Sequence, residues 1–294
     1  MSKITVTTIA GQTSGADANK VKIESGDTLE VVTNATVGGD LTVDTSTLKV
    51  DSSNNRVGMG VASPSRQVEI SRSIADGSGE LAIVSSDSST SGAFGSIHFG
   101  NNTDTSLASI RAIADGATDS GKLMFNTEKT GAAIETGMSI DSNGRVGKPL
   151  QPSFHAKGGN GNYINTSPMP FPTVSGSGVN TGTHNIGNHY NNSNYTFTAP
   201  IAGRYIFHVH VGIIRSSANA SQAYPTLTVN GTGIAYTYIK LEVAPSANHY
   251  TNAHVTQMVN LAANDAVQVV FSQASGGTYY NGASESSFQG YFLG

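Results

Sequence analysis

Tyr195-Thr-Phe-Thr-Ala-Pro-Ile-Ala-Gly-Arg-Tyr-Ile-Phe-His-Val-His-Val211 is the stretch on which the fold turns. Before Pro200, Tyr195 and Phe197 alternate with threonines. After Gly203, Tyr205, Phe207, Val209 and Val211 alternate with Arg204, Ile206, His208 and His210. A period of two is that of strands with two distinct faces. Pro200 fixes its own φ and biases Ala199 towards extended geometry, while Gly203 tolerates backbone conformations closed to larger residues, so the chain turns between two strands.

The rest of the chain follows the same rule. Only 12% of its 294 residues are charged, there are 34 glycines and no tryptophan, and short runs rich in Thr, Val and Ile recur throughout. Disordered chains combine high charge with few β-branched residues, so this composition reads as all-β. A formal charge of −4 makes no electrostatic case for nucleic acid or for an anionic membrane. Residues 1–150 carry 12 basic and 17 acidic side chains, and residues 151–294 carry 4 and 3, so the two halves differ in character. Without cysteine there is no disulfide, thiolate nucleophile or cysteine zinc site. The N-terminus lacks the apolar run of a signal peptide or membrane helix, which predicts synthesis in the cytoplasm and no membrane insertion.

Phe197-Thr-Ala-Pro200 with Gly203, Tyr205 and Phe207 resembles the signature of the jelly-roll head shared by the complement recognition protein and the tumour-necrosis-factor superfamily. Phe154 and Ala156, Leu227-Thr-Val-Asn-Gly231, Val259-Asn-Leu-Ala-Ala-Asn-Asp-Ala-Val267 and Phe288-Gln-Gly-Tyr-Phe-Leu293 follow in that family's order. The family's usual Gly-Asp is Asn264-Asp265 here. The resemblance covers residues 150–294 and implies a β-sandwich that assembles as a homotrimer, with the strand after Gly203 in the sheet that faces the trimer axis.

Residues 1–20 offer little to bury. From Val21, short alternating runs at Val21–Ile23, Leu29–Val32, Leu41–Val43 and Leu48–Val50 predict successive short strands, too thin to close a core without copies from other chains. Leu48-Lys-Val-Asp-Ser-Ser-Asn-Asn-Arg-Val-Gly58 recurs as Met138-Ser-Ile-Asp-Ser-Asn-Gly-Arg-Val-Gly147. Both copies read as hairpins whose turns are capped by Asp and Asn. This element, followed at Met59 by Gly-Val-Ala-Ser-Pro64, resembles junctions in the shafts of bacteriophage fibres. Between the copies, Leu81–Val84, Phe94–Phe99, Ala108–Ile113 and Lys122–Phe125 predict four strands, with a short helical turn allowed near Ser106–Ile113. Lys148-Pro-Leu-Gln-Pro152 reads as a linker.

Catalytic motifs are few. Gly116-Ala-Thr-Asp-Ser-Gly-Lys122 has phosphate-loop spacing, but Leu123 replaces the magnesium-binding hydroxyl, so a polar turn is the better reading. A glycosidase needs two facing carboxylates, and the head offers Glu242, Asp265 and Glu285, with Asp265 best read as a turn cap. Asp87, Asp104, Asp115 and Asp119 fall in turns of the shaft. Tyr163, Phe171, Tyr190, Tyr236, Tyr238, Tyr250, Tyr279 and Tyr280 lie in or beside Asn/Ser/Gly-rich loops of the head. That mix suits sugar binding, because a ring stacks on the sugar's C–H face while amides meet its hydroxyls. Core or interface packing is the competing reading. His208 and His210 point the same way, opposite Phe207. If the core takes Phe207, the histidines face their symmetry mates, and six imidazoles on the axis could ligate a divalent transition metal. The competing reading is a wet polar seam between subunits.

The sequence therefore predicts an all-β protein in three parts: an N-terminal attachment and shaft (1–71), an inserted β module ending in the repeated hairpin (72–148), and a jelly-roll head (149–294). It predicts a non-enzymatic, homotrimeric structural fibre protein of a tailed phage virion. Its N-terminus would join other virion proteins and its head a host surface glycan or protein. A polysaccharide-degrading tailspike and a bacterial jelly-roll surface protein are the alternatives.

Overall fold

A computed structural model describes residues 37–44, 47–71, 79–86, 88–159, 162–163, 168–173, 183–215, 222–236, 239–240, 249–273, 279–280 and 286–294. Among these, all regular structure is β-strand, in agreement with the all-β expectation. The chain divides into two compact units, Met1–Ala82 and Ile83–Gly294. The expected strands at Val21–Ile23 and Leu29–Val32 lie outside the described residues.

The first unit holds one sheet, β1 (Leu41–Val43), β2 (Leu48–Asp51), β3 (Arg56–Met59) and β4 (Val68–Ile70), in sequence order. The first three strands are antiparallel, and β4 joins β3 in parallel with Val57 opposite Val68. The Arg56 guanidinium makes the crossover compact by donating to the Pro64 carbonyl at 2.8 Å. Asp40 accepts from Lys49 Nζ at 2.5 Å and from the backbone and hydroxyl of Ser52 at 2.8 and 2.9 Å. The Lys49 bond, then those of Ser52, hold its carboxyl down at about 2. Leu41, Val43 and Val68 remain exposed, so this sheet is a single layer with an open apolar side.

The second unit begins with an antiparallel meander: β5 (Ala93–Phe99), β6 (Ala108–Ala114), β7 (Gly121–Glu128), β8 (Ile134–Ile140) and β9 (Val146–Gly147). Ala108–Ile113 is strand throughout, so the helical turn allowed there is corrected. Its alternating residues pair with β5 on one side and β7 on the other, and two ladders outweigh one local turn. Leu81–Val84 forms no strand. Ile97, Ile110, Phe125 and Met138 make one cross-strand row on one face. Ile97, Phe99 and Leu123 on that face are exposed. This too is one apolar-sided layer.

Both copies of the repeat are hairpins, with Val50 opposite Val57 and Ile140 opposite Val146. In the second, Asp141 Oδ1 accepts from the backbone of Asn143 and Arg145 at 3.0 and 2.9 Å, and Gly144 takes φ +76°. An L side chain adopts that conformation with strain, which is why the tighter copy has glycine there. The phosphate-loop-like stretch is a polar turn between β6 and β7, with Gly121 and Lys122 already in β7.

The head is a sandwich of two antiparallel sheets. One has the order β12 (His184–Ile186), β10 (Ser153–Lys157), β22 (Ser287–Phe292), β15 (Gly203–Arg215), β19 (His249–Leu261). The other runs β13 (Tyr190–Asn191), β14 (Thr196–Thr198), β20 (Ala266–Gln273), β16 (Gln222–Val229), β17 (Thr232–Tyr236), with β18 (Ile239–Lys240) also on β16. A two-stranded ribbon pairs β11 (Asn162–Tyr163) with β21 (Tyr279–Tyr280). Phe154, Tyr205, Phe207, Val209, Val211 and Phe288 from the first sheet meet Phe197, Leu227, Val267, Val269 and Phe271 from the second, all buried. Each large side chain contributes about 1.5–3 kcal/mol on burial. Phe154 organises the rings: it stacks on Tyr190 at 4.7 Å and Phe197 at 5.0 Å and meets the edge of Phe288 at 4.8 Å. The head thus closes a core of its own.

Asp265 confirms its reading as a turn cap. It accepts from the Ala262 backbone and from Asn230 Nδ2, both at 2.8 Å, and so ties the β19–β20 turn to the β16–β17 turn. Asn264, which replaces the resembling family's glycine, carries φ +72°; asparagine tolerates that region better than most residues.

Candidate functional site

With Tyr205, Phe207, Val209 and Val211 in the core, the alternate residues of β15 form the outer face of its sheet, as the spacing required. Strand register then aligns side chains from five strands into rows. One row runs His184, His155, Gln289, His208, Thr256. The next contains Ser287, His210 and His254, and on the other flank lies Ile186, Ser153, Tyr291, Ile206, Met258. Five of the chain's 8 histidines share this face: His155, His184, His208, His210 and His254.

The imidazoles are held in place. His208 Nδ1 lies 2.8 Å from Thr256 Oγ1, and His210 Nε2 lies 3.2 Å from Asn252 Oδ1. The His210 and His254 rings stack at 4.4 Å, 10° from parallel. Burial, then Lys157 and the neighbouring imidazoles, pushes His155 below the usual histidine value. Burial lowers His184, and burial with His210 lowers His208. In His254, burial acts first, then His210 and His208. Lys157 and Arg204 stand on the same face, and among the described residues no carboxylate does. The lowered values of His155, His184, His208 and His254 favour their neutral form, and acid adds positive charge to the face. Met258 is 54% exposed and Tyr291 39%, so the face also carries open apolar area. No group of three ligating side chains within one chain is placed to hold a metal among the described residues.

The head tyrosines do not form one site. Tyr190 is 2% exposed, stacks on Phe154, and donates its hydroxyl to the Phe171 carbonyl at 3.0 Å. Its expected place among the surface aromatics is therefore corrected, as is that of the buried Phe171. The apolar ring gains more from the interior than the Asn-rich flanks suggested, because a backbone carbonyl satisfies its one polar atom. Tyr236 is 56% exposed, with its ring 5.9 Å from that of Tyr224. The β11–β21 ribbon sets Tyr163 opposite Tyr279, with Tyr280 next along. Tyr250 pairs with Ile214 on β19. The side chains of these four, and Tyr238 entirely, lie outside the described residues.

The sequence pointed to His208 and His210 but not to His155 and His184. The available signal was the alternation of His155 with Phe154 and Ala156. Only the sheet's strand order puts it in a row with His208.

No helix is long and apolar enough to cross a membrane, among the described residues. No curated protein matches the chain. Among solved structures, Eiger TNF from S. frugiperda is similar at 10% identity and a TM-score of 0.39, over 49% of this chain and 94% of that one. The globular domain of zebrafish complement 1qA protein is similar at 13% identity and a TM-score of 0.36, over 49% of this chain and 98% of that one. Residues 166–293 match the family model of the C1q domain. Over residues 166–293 the chain is thus similar to the C1q domain, and the two antiparallel sheets of the head form a jelly-roll-like sandwich.

Proposed function

We propose that the protein is a non-enzymatic structural fibre of a tailed phage virion, a homotrimer that joins other virion proteins through its N-terminal segment and meets a host surface glycan or protein through its head. The observation that carries this reading is the contrast between the parts. The head encloses its own core, whereas each N-terminal sheet is a single layer with Leu41, Val43 and Val68, or Ile97, Phe99 and Leu123, left open. Further copies of the same sheets are the economical cover for such faces, and a threefold shaft supplies them. The repeated hairpin, with its phage-shaft resemblance, supports the virion assignment. Against a tailspike, Asp115 and Asp265 are both engaged in hydrogen bonds that tie turns together.

Sedimentation should return the mass of three chains, and antibodies to the head should decorate fibres on purified particles. A folded monomer, or particles without label, would sink the reading, as would shortening of host polysaccharide by the pure protein. In the trimer, His208 and His210 would face the axis and could hold a divalent transition metal. Less than one such ion per three chains, in protein purified without a nickel column, would remove that part of the proposal.

A further inference from the structure

The polar face of the meander contains a concavity of about 500 Å³ that the fibre reading does not use. Its floor is two cross-strand rows: Ser96, Arg111, Met124 and His98, Ser109, Asn126, Thr136. A bulge after Phe125 makes the second row. It leaves Gly137 unpaired and sets Thr136 opposite Asn126. Thr136 then donates to Asn126 Oδ1 at 2.9 Å, and Asn126 Nδ2 donates to Ser109 Oγ at 3.0 Å. Asn126 and Ser109 are only 8% and 5% exposed. With one lone pair taken by Asn126, the Ser109 hydroxyl keeps a proton to give. His98 bridges the Ser96 and Ser106 hydroxyls at 2.8 and 2.9 Å, which fixes the ring plane at the rim.

Arg111 stands in the middle of this surface. It has no carboxylate partner among the described residues, and no acidic side chain lines the concavity. An unpaired guanidinium above preset hydroxyl and amide groups is a receptor for a planar anion that also carries hydroxyls. Its fork matches a carboxylate with two parallel hydrogen bonds. Met124 and Ile134 provide apolar contact for a ring's C–H edge. The volume falls in the range of small-molecule sites.

We propose that this concavity binds an acidic saccharide, with the sugar carboxylate on Arg111 and its hydroxyls on Ser109, Asn126 and the His98 serines. The site is separate from the head and does not rest on the virion assignment. Saturation-transfer NMR on the full-length protein tests it, with a glucuronic-acid-containing disaccharide, a neutral glucose disaccharide and inorganic sulfate as probes. The acidic sugar should bind at least tenfold more tightly than the neutral one, and Arg111→Gln should abolish that preference. Arg111 is exposed, so this variant keeps the wild-type fold, checked by its circular dichroism. A second variant, Thr136→Val, should weaken both sugars without removing the preference for acid. Equal binding of the two sugars, undiminished binding to Arg111→Gln, or sulfate competing as well as the uronic acid would each overturn the proposal.

Discussion

Gly290 of β22 lies opposite Phe154 on one side and Phe207 on the other, so two phenyl rings approach each other over a bare backbone. A Cβ at this position would sit 2.5 Å from Phe154 Cε1 and 2.7 and 2.8 Å from Phe207 Cε1 and Cδ1. Neither ring can simply swing aside. Phe154 is held by Tyr190, Phe197 and Phe288, and Phe207 by Tyr205, Phe197 and Phe288. Overpacking of this kind costs roughly 1–3 kcal/mol, and two displaced rings put Gly290→Ala at the upper end. Removing glycine's extra freedom in the unfolded chain returns about 0.4–1 kcal/mol. The net loss should be about 2 kcal/mol, which for a domain of this size lowers Tm by roughly 4–8 °C. Denaturant titration followed by tyrosine fluorescence measures it, with Gly144→Ala as a control whose strain comes from φ +76° without a nearby atom. An alanine variant as stable as the parent would show that the rings have room and would refute the overpacking argument.

Tyr190→Phe leaves the buried Phe171 carbonyl without its donor and should destabilise the head by about 1–3 kcal/mol, read in the same titration. The histidine face predicts acid sensitivity. His155, His184, His208 and His254 are depressed below 6.5 in the folded chain, so the unfolded chain binds more protons as pH falls. Stability should be full above about pH 6.5 and decline towards pH 5, with a shallower decline in His155→Gln; a flat profile over that range would contradict it. Asp115 is held at about 2, chiefly by the Ser142 backbone bond and then by Lys122 and the Ser142 hydroxyl. A depressed carboxylate stabilises above its unfolded value of 3.8 and loses that contribution as pH falls towards 2. Exchange of the Ser142 amide, corrected for its intrinsic rate, should accelerate in that window and show no such step in Asp115→Asn.

Alternation along Tyr205–Val211, the Pro200–Gly203 corner and the two Asp/Asn hairpins were determined by the sequence alone, because side-chain period and turn chemistry are local properties of the chain. The same local logic misjudged Tyr190. Its neighbours are polar, and only packing against Phe154 and the Phe171 carbonyl decides that it is interior. It also allowed a helix where two ladders impose a strand on Ala108–Ile113. Both surfaces of interest belong to the tertiary structure. His155 and His208 are 53 positions apart in the sequence and become neighbours only because β22 lies between β10 and β15. Arg111, Asn126 and His98 sit on three strands, and a one-residue bulge at Gly137 completes the concavity with Thr136. Register and strand order depend on which distant segments bury each other, a balance that no short window of residues contains.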